Sequence, residues 1–311
     1  MKKLIDYLSS ETGILNKPLL EKDVILHLLL GELSKNDYFS KSFVFKGGTC
    51  LIKCYYGYYR FSEDLDFSFA NQAEFEGKSQ KEVRRALSMK LNDLISILNG
   101  IAGKLHLEFK EEKSSQRYIE FGGSSKFTTF KLWYKSTVSG NEQFVKVQIN
   151  FVEHFFYNFR KLAAKSLIKG IENKEFSFLF PEYKILLEDN IVAAYDIKEI
   201  LIEKCRAVLT RRGVKARDLI DIYLILHNEK LDIADFRGKV IDKTKFMLRY
   251  VKYLQNLNDF DAEKFLLGEE EKLLLKPLHN GFESFVKEVT RFLVSLAKEI
   301  KHKQVLRLKS Q

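Results

Sequence analysis

With 311 residues, 45% of them apolar, the chain is long enough for two packed units and too rich in core-forming side chains to be disordered. Its 52 Lys and Arg exceed its 42 Asp and Glu, and the resulting charge of +10 suits a polyanion, nucleic acid or nucleotide, although a soluble protein merely rich in Lys and Glu has the same composition. The three cysteines come without a Cys-x-x-Cys pair or a histidine cluster, and no window approaches the roughly 20 apolar residues of a membrane span, which argues for a reduced, cytoplasmic setting and against zinc, export and membrane insertion.

In chain order, Phe43 to Lys46 reads as a short strand, Thr49 to Tyr56 as a helix stopped by Gly57, and Asp64 to Phe69 as a second strand. Helical spacing runs from Gln80 to Leu98. Leu105 to Lys110, Phe127 to Tyr134 and Phe144 to Phe151 carry the aromatic and β-branched residues of strands, with turns at Gly122-Gly123 and Ser139-Gly140-Asn141, and the last two runs are expected to pair antiparallel. Arg160 to Leu187 has no clear period. From Ala194 onward the pattern is helical: a stripe from Ile197 to Leu209 stopped by Gly213, another from Leu219 to Leu226, and further helices near Lys243 to Leu257, Asp261 to Leu274 and Phe282 to His302. The expectation is an α+β protein in which a mixed β-sheet unit flanked by helices, residues 1–186, precedes a helical bundle, residues 187–311.

Two segments can carry chemistry. Lys46-Gly47-Gly48-Thr49 joins a strand to a helix start, where glycine lets bare backbone amides approach a phosphate and the helix terminus adds partial positive charge; an ordinary tight turn has the same sequence. Fifteen residues after Thr49 comes Asp64-Leu65-Asp66-Phe67, whose alternation sends Leu65 and Phe67 to one face and both carboxylates to the other. Two carboxylates one pleat apart suit Mg²⁺, which prefers one or two acids plus phosphate oxygens to an all-protein cage. A half-buried strand with a solvated face remains the plain alternative.

Lys46-Gly47-Gly48-Thr49-Cys50-Leu51 with Arg60-Phe61-Ser62-Glu63-Asp64-Leu65-Asp66 resembles the first motif of the AbiEii/AbiGii toxin family, which includes the MenT toxins. Glu203-Lys204-Cys205-Arg206-Ala207 and Arg211-Arg212 with Ala216-Arg217-Asp218-Leu219-Ile220-Asp221 are similar to the family's later motifs, in the same order. The resemblance implies a DNA-polymerase-β-like nucleotidyltransferase. It assigns the metal, Mg²⁺ or alternatively Mn²⁺, to Asp64 and Asp66, and the nucleoside triphosphate to Gly47, Gly48, Thr49 and Ser62. Lys204 and Asp218 become further catalytic residues, Lys204 also toward the nucleotide. It also implies a toxin that transfers a nucleoside monophosphate to RNA, a tRNA 3′ end, and a cognate antitoxin.

Lys204 and Asp218 can be weighed by spacing as well. Lys204 lies four residues from both Ile200 and Val208, beside the apolar stripe, where either a facing phosphate or snorkelling past the core accounts for it. Asp218 begins the next helix, where capping or a charge pair is as good an account as catalysis, and a better one for Asp221. One departure from the polymerase-β pattern stands out: in Lys146-Val147-Gln148-Ile149-Asn150, the polar face has amides where a third carboxylate is common. That leaves a two-aspartate site with one metal, a carboxylate supplied by Asp218, or a nucleotide- or RNA-binding regulator without turnover, the second being preferred. Seven Lys and Arg against three acids between Asp196 and Arg217, and five against one between Lys298 and Lys309, suggest a path for RNA phosphates or simply solvated faces. Tyr55, Tyr56, Tyr58 and Tyr59 are candidates for base stacking or for packing.

Overall fold

A computed structural model describes every residue except 124, 171–174, 214, 261–273, 276–280 and 310–311, and omits the side chains of 170 and 303–309. The helix expected at Asp261 to Leu274 lies, apart from Leu274, outside the described residues. Contacts divide the chain into two compact units, Met1–Glu153 with Phe159–Tyr195, and His154–Asn158 with Asp196–Gln311. The division follows Tyr195 and not Leu186, because Asn190–Ala194 is a strand of the sheet.

The first unit begins with three helices, α1 (Lys2–Thr12), α2 (Lys17–Lys35) and α3 (Asp37–Ser42). α2 starts on the Asn16 side chain, which accepts from the Leu19 amide, and buries Leu20, Val24, Leu26, Leu29, Leu30 and Leu33. Its apolar residues lie on more than one side, so no narrow stripe marks it in the sequence. Then come β1 (Phe43–Lys46), the short helix α4 (Gly47–Cys50) running directly into a π-helical turn at Leu51–Tyr56, and β2 (Asp64–Phe69). Gly57, at φ +72°, stops the turn in the left-handed region that glycine tolerates. A wider π-turn places Lys53 inward, where its ammonium donates to Asp23 Oδ1 at 2.7 Å and also binds the Tyr58 hydroxyl.

α5 (Gln80–Lys104) opens with a capping box between Ser79 and Glu82 and continues past the expected Leu98, burying Ile101 and Ala102. The strand expected at Leu105–Lys110 does not form. The chain leaves α5 through a left-handed His106, and only Glu108 pairs with the sheet, exchanging hydrogen bonds with Trp133. β3 (Ile119–Gly122), β4 (Phe127–Lys135), β5 (Glu142–Asn150), β6 (Arg160–Ala164) and β7 (Asn190–Ala194) complete a seven-stranded mixed sheet ordered β3-β4-β5-β2-β1-β7-β6. β4 and β5 pair antiparallel as expected. On the central strands Phe43, Phe45, Leu65, Phe67, Val147 and Ile149 share one face through their register. Phe39 of α3 stacks on Phe43 and meets Phe67 edge-on, both at 4.9 Å, and α2 packs on the same strands. The opposite face is left for polar groups.

The second unit is helical: α6 (Phe176–Leu179) still belongs to the first unit, and α7 (Ile197–Thr210), α8 (Ala216–Glu229), α9 (Arg237–Met247), α10 (Val251–Asn258) and α11 (Phe282–Lys309) form the second. α7 is buried almost all round and touches each of the other four, so it is the central helix. Instead of one helix from Lys243 to Leu257 there are two, since extended backbone at Tyr250 interrupts the hydrogen-bond ladder and starts α10 afresh. Glu199 and Lys243, side chains 1% and 0% exposed, pair at 2.9 Å in this core. Glu199 also accepts the amides of Phe156 and Tyr157 at 2.8 and 3.2 Å, and Lys243 donates to the His154 carbonyl at 2.6 Å. These bonds attach residues 154–157 to the helical unit. No helix among the described residues is long and apolar enough to cross a membrane.

Candidate active site

The polar face of the central strands is built by register. Lys46 pairs with Asp66 across β1 and β2; Asp64 and Asp66 lie beside Lys146 and Gln148 of β5, and Ser68 beside Asn150. Period-two alternation therefore puts Lys46, Asp64, Asp66, Ser68, Lys146, Gln148 and Asn150 on one face. Lys146 Nζ stands 3.8 Å from Asp64 Oδ1. Gln148 is the direct neighbour of Asp66 across β2 and β5.

The glycine turn closes against this face. Gly47 has φ +76°, and a Cβ built on it would lie 2.4 Å from Asp66 Oδ2; one built on Gly48 would lie 2.3 Å from Arg60 Nη2. Gly47 is required by its positive φ and by its close approach to the Asp66 carboxylate, and Gly48 lies against the end of the buried Arg60 side chain, which donates to the Phe61 carbonyl at 2.8 Å. Gly47→Ala is expected to lower nucleotidyl transfer by about a hundredfold, the order of loss that follows a displacement of roughly 1 Å at a reacting group. Comparing the transfer rate with the urea midpoint checks this, because a rate loss matched by global unfolding would put the effect elsewhere.

Thr49 is 1% exposed. Its hydroxyl donates to the Asp64 carbonyl, and with its one proton so used it accepts from Ser62 Oγ at 2.7 Å. Thr49 and Ser62 thus brace α4 onto the start of β2. Beside them lies a group that sequence reasoning did not find. Glu153, buried just beyond β5, accepts from Asn150 Nδ2 at 2.6 Å and stands 3.7 Å from Lys46 Nζ, whose ammonium also lies 5.7 Å from the centre of the Tyr195 ring. The Tyr195 hydroxyl meets Ser68 Oγ at 2.7 Å. Only strand register and side-chain reach bring these residues together, and no local pattern signals them.

Two carboxylates on one strand face, beside a backbone turn that admits no side chain, fit a hard cation bound jointly by protein and phosphate oxygens. Among the described residues no group of three or more His, Cys, Asp or Glu could hold a metal ion by itself.

The later motifs lie in the second unit. Lys204 Nζ is 2.9 Å from Asp218 Oδ1 and 2.6 Å from Asp221 Oδ2, and Arg211 Nη1 is 2.5 Å from Asp218 Oδ2. Burial would raise the Asp218 carboxyl, but the Lys204 and Arg211 charges prevail and hold it below the usual aspartate range. Because this folded-state pKa is depressed, its stabilisation is present above the unfolded value of about 4 and lost as pH falls through the folded one. The urea midpoint of the wild type should fall more steeply below about pH 4 than that of Asp218→Asn. Parallel curves would show that this carboxylate contributes nothing to acid sensitivity. Of the other cations in this stretch, Arg206 pairs with Glu203 at 3.1 Å, so part of the expected basic path is already compensated. Burial, followed by the Asp218 charge, pushes the Cys205 thiol up to about 12, and all three cysteines are free. The tyrosine run is mainly packing: Tyr58 donates to Asp23, Tyr55 to the Tyr195 carbonyl, and Tyr59 is buried.

A strand, glycine turn and helix set against an Asp-x-Asp strand in a mixed sheet define a nucleotidyltransferase. The family model for the nucleotidyl transferase AbiEii toxin of type IV toxin–antitoxin systems matches residues 28–297, and the chain belongs to that family. Membership implies a nucleoside triphosphate substrate and an antitoxin counterpart. Among solved structures the chain is similar to JHP933 from Helicobacter pylori, at 18% identity over 96% of this chain and 100% of that one, with a TM-score of 0.45. A second H. pylori structure, provisionally assigned as a nucleotidyltransferase, matches at 18% identity over 93% of this chain and 98% of its own, with a TM-score of 0.42. A comparison with curated proteins finds no match.

Proposed function

We propose that this toxin works in the cytoplasm as a Mg²⁺-dependent nucleotidyltransferase, moving a nucleoside monophosphate from a nucleoside triphosphate to an RNA acceptor, a tRNA 3′ end. The observation that carries the reading is the shared strand face of Asp64 and Asp66 closed by the Gly47–Gly48 turn. Asp64 and Asp66 hold the metal together with phosphate oxygens; Mn²⁺, with the same oxygen preference, is the alternative ion. A bound cation would supply charge stabilisation at the α-phosphorus, where the acceptor hydroxyl forms the new P–O bond as the bond to the leaving pyrophosphate breaks. Gly47 and Gly48 offer backbone amides to the triphosphate, with Thr49 and Ser62 bracing the turn that carries them. Lys204, held by Asp218 and Asp221, is assigned as a further phosphate-binding cation and Asp218 as its positioning partner. Gln148 leaves two aspartates to serve the metal. The net charge of +10 favours the polyanionic acceptor.

The test is to incubate the purified protein with total tRNA, Mg²⁺ and each of the four labelled nucleoside triphosphates in turn. Label entering RNA from one nucleotide establishes donor and acceptor together. Label entering protein alone, or none entering RNA while a metal-dependent nucleotide complex still forms, removes RNA as the acceptor.

A further inference from the structure

In the second unit, His154, Phe155 and Tyr157 set their rings beside Phe246, Lys243 and Lys239 of α9, and Phe156 packs on His154. Lys239, Lys243 and Phe246 follow a four- and three-residue spacing, so they share one face of that helix. Two cations lie near Tyr157, Lys198 Nζ at 5.9 Å and Lys239 Nζ at 5.3 Å from its ring centre. One helical turn along, Lys243 Nζ lies 5.6 Å from the Phe155 ring. Further along, His154 meets Phe156 edge-on at 4.6 Å and Phe246 at 5.7 Å, and the Arg249 guanidinium stacks 3.7 Å over Phe246 and 5.4 Å from Tyr250. From Lys239 to Phe246, within α9, the line runs about 10 Å at helical rise, and Arg249 lies two residues past the helix end. His154 and Arg249 are exposed, and Phe156, Tyr157, Phe246, Tyr250 and Lys239 are half-buried.

We infer that this strip binds a single-stranded stretch of the acceptor RNA, its bases against the rings and its phosphates on Lys198, Lys239 and Arg249. The inference rests on the reading of the acceptor as RNA and adds where the strand lies. Alternating ring and cation along one line matches a chain whose repeat is one flat base and one negative charge. A protein partner fits less well, because lysine is depleted at protein interfaces. The platform is also rigid before anything binds. Glu199 fixes the Phe156 and Tyr157 amides and Lys243 the His154 carbonyl, so little ordering remains to be done on binding.

The experiment uses the full chain without nucleoside triphosphate or metal, and a short fluorescein-labelled oligouridine read by anisotropy over a salt series. Tyr157→Leu keeps apolar bulk and removes the ring, and should weaken binding by roughly five- to hundredfold, whereas Tyr157→Phe should bind like the wild type. Lys239→Gln and Arg249→Gln should each lower the salt slope by about 0.7. A fully paired RNA hairpin should compete poorly. Wild-type affinity in Tyr157→Leu and both charge variants, or equal competition by the hairpin, overturns the inference. Those results leave the reaction itself standing, because label transfer to tRNA is measured separately.

Discussion

Asp66→Asn should reduce nucleotidyl transfer by at least about a thousandfold, and Asp64→Asn should do the same. Metal-assisted charge stabilisation is worth several kcal/mol at the transition state, and each ~1.4 kcal/mol is a factor of ten in rate. An amide keeps the shape of the side chain and one oxygen but loses the charge that a hard cation requires. Asp66 should be the more sensitive of the two, because Gly47 packs directly on its carboxylate while Asp64 has Lys146 at 3.8 Å to help hold the side chain. The assay is incorporation of labelled nucleotide into RNA, with growth inhibition followed in parallel. A variant that still inhibits growth while transfer is gone would separate toxicity from the chemistry assigned here. Urea midpoints close to wild type are expected in both, since neither side chain lies in the apolar core.

The largest stability effect is expected away from this face. Glu199→Ala should cost about 3–5 kcal/mol, the usual consequence of taking one partner from a buried ion pair. Glu199 is 1% exposed and faces Lys243 at 0%, and its other oxygen accepts two backbone amides that would lose their acceptor. Denaturant titration should show a lower midpoint at an unchanged slope. The double variant Glu199→Leu with Lys243→Met should recover only part of the loss, because it removes the charges but leaves the Phe156 and Tyr157 amides without that carboxylate. If the single variant unfolds at the wild-type midpoint, residues 154–157 are not fixed to the helical unit in the way the hydrogen bonds indicate.

The legible part of the site was local. The strand–glycine–helix turn and the Asp-x-Asp alternation each occupy a handful of consecutive residues, and backbone geometry converts such patterns directly into a turn and a shared strand face. The β4–β5 pair was readable for the same reason, since its strands alternate between buried and more exposed residues, and the apolar stripes of α7 and α8 marked both helices even though α7 is buried almost all round. Elements without such a pattern were not: α2 is apolar on several sides, β6 is a short strand in a stretch without clear period, and β7 falls almost wholly between that stretch and the helical pattern that starts at Ala194. Leu105 to Lys110 had the composition of a strand, yet a strand needs a partner along its length, and only Glu108 meets one.

Partnership was decided by tertiary structure. Lys204 could be seen lying beside an apolar stripe, but its companions Asp218 and Asp221 come from the next helix, and sequence spacing does not say which carboxylates that helix turns toward it. Lys46 and Glu153 are separated by more than a hundred residues, and Tyr157 and Lys239 by about eighty. Local chemistry therefore marked the glycine turn and the Asp-x-Asp face as candidates, because periodicity acts on neighbours in the chain, while their nucleotidyltransferase role came from the family resemblance. Which cations are compensated, and which line up with aromatic rings, depended on long-range packing that brings distant residues within a few ångströms.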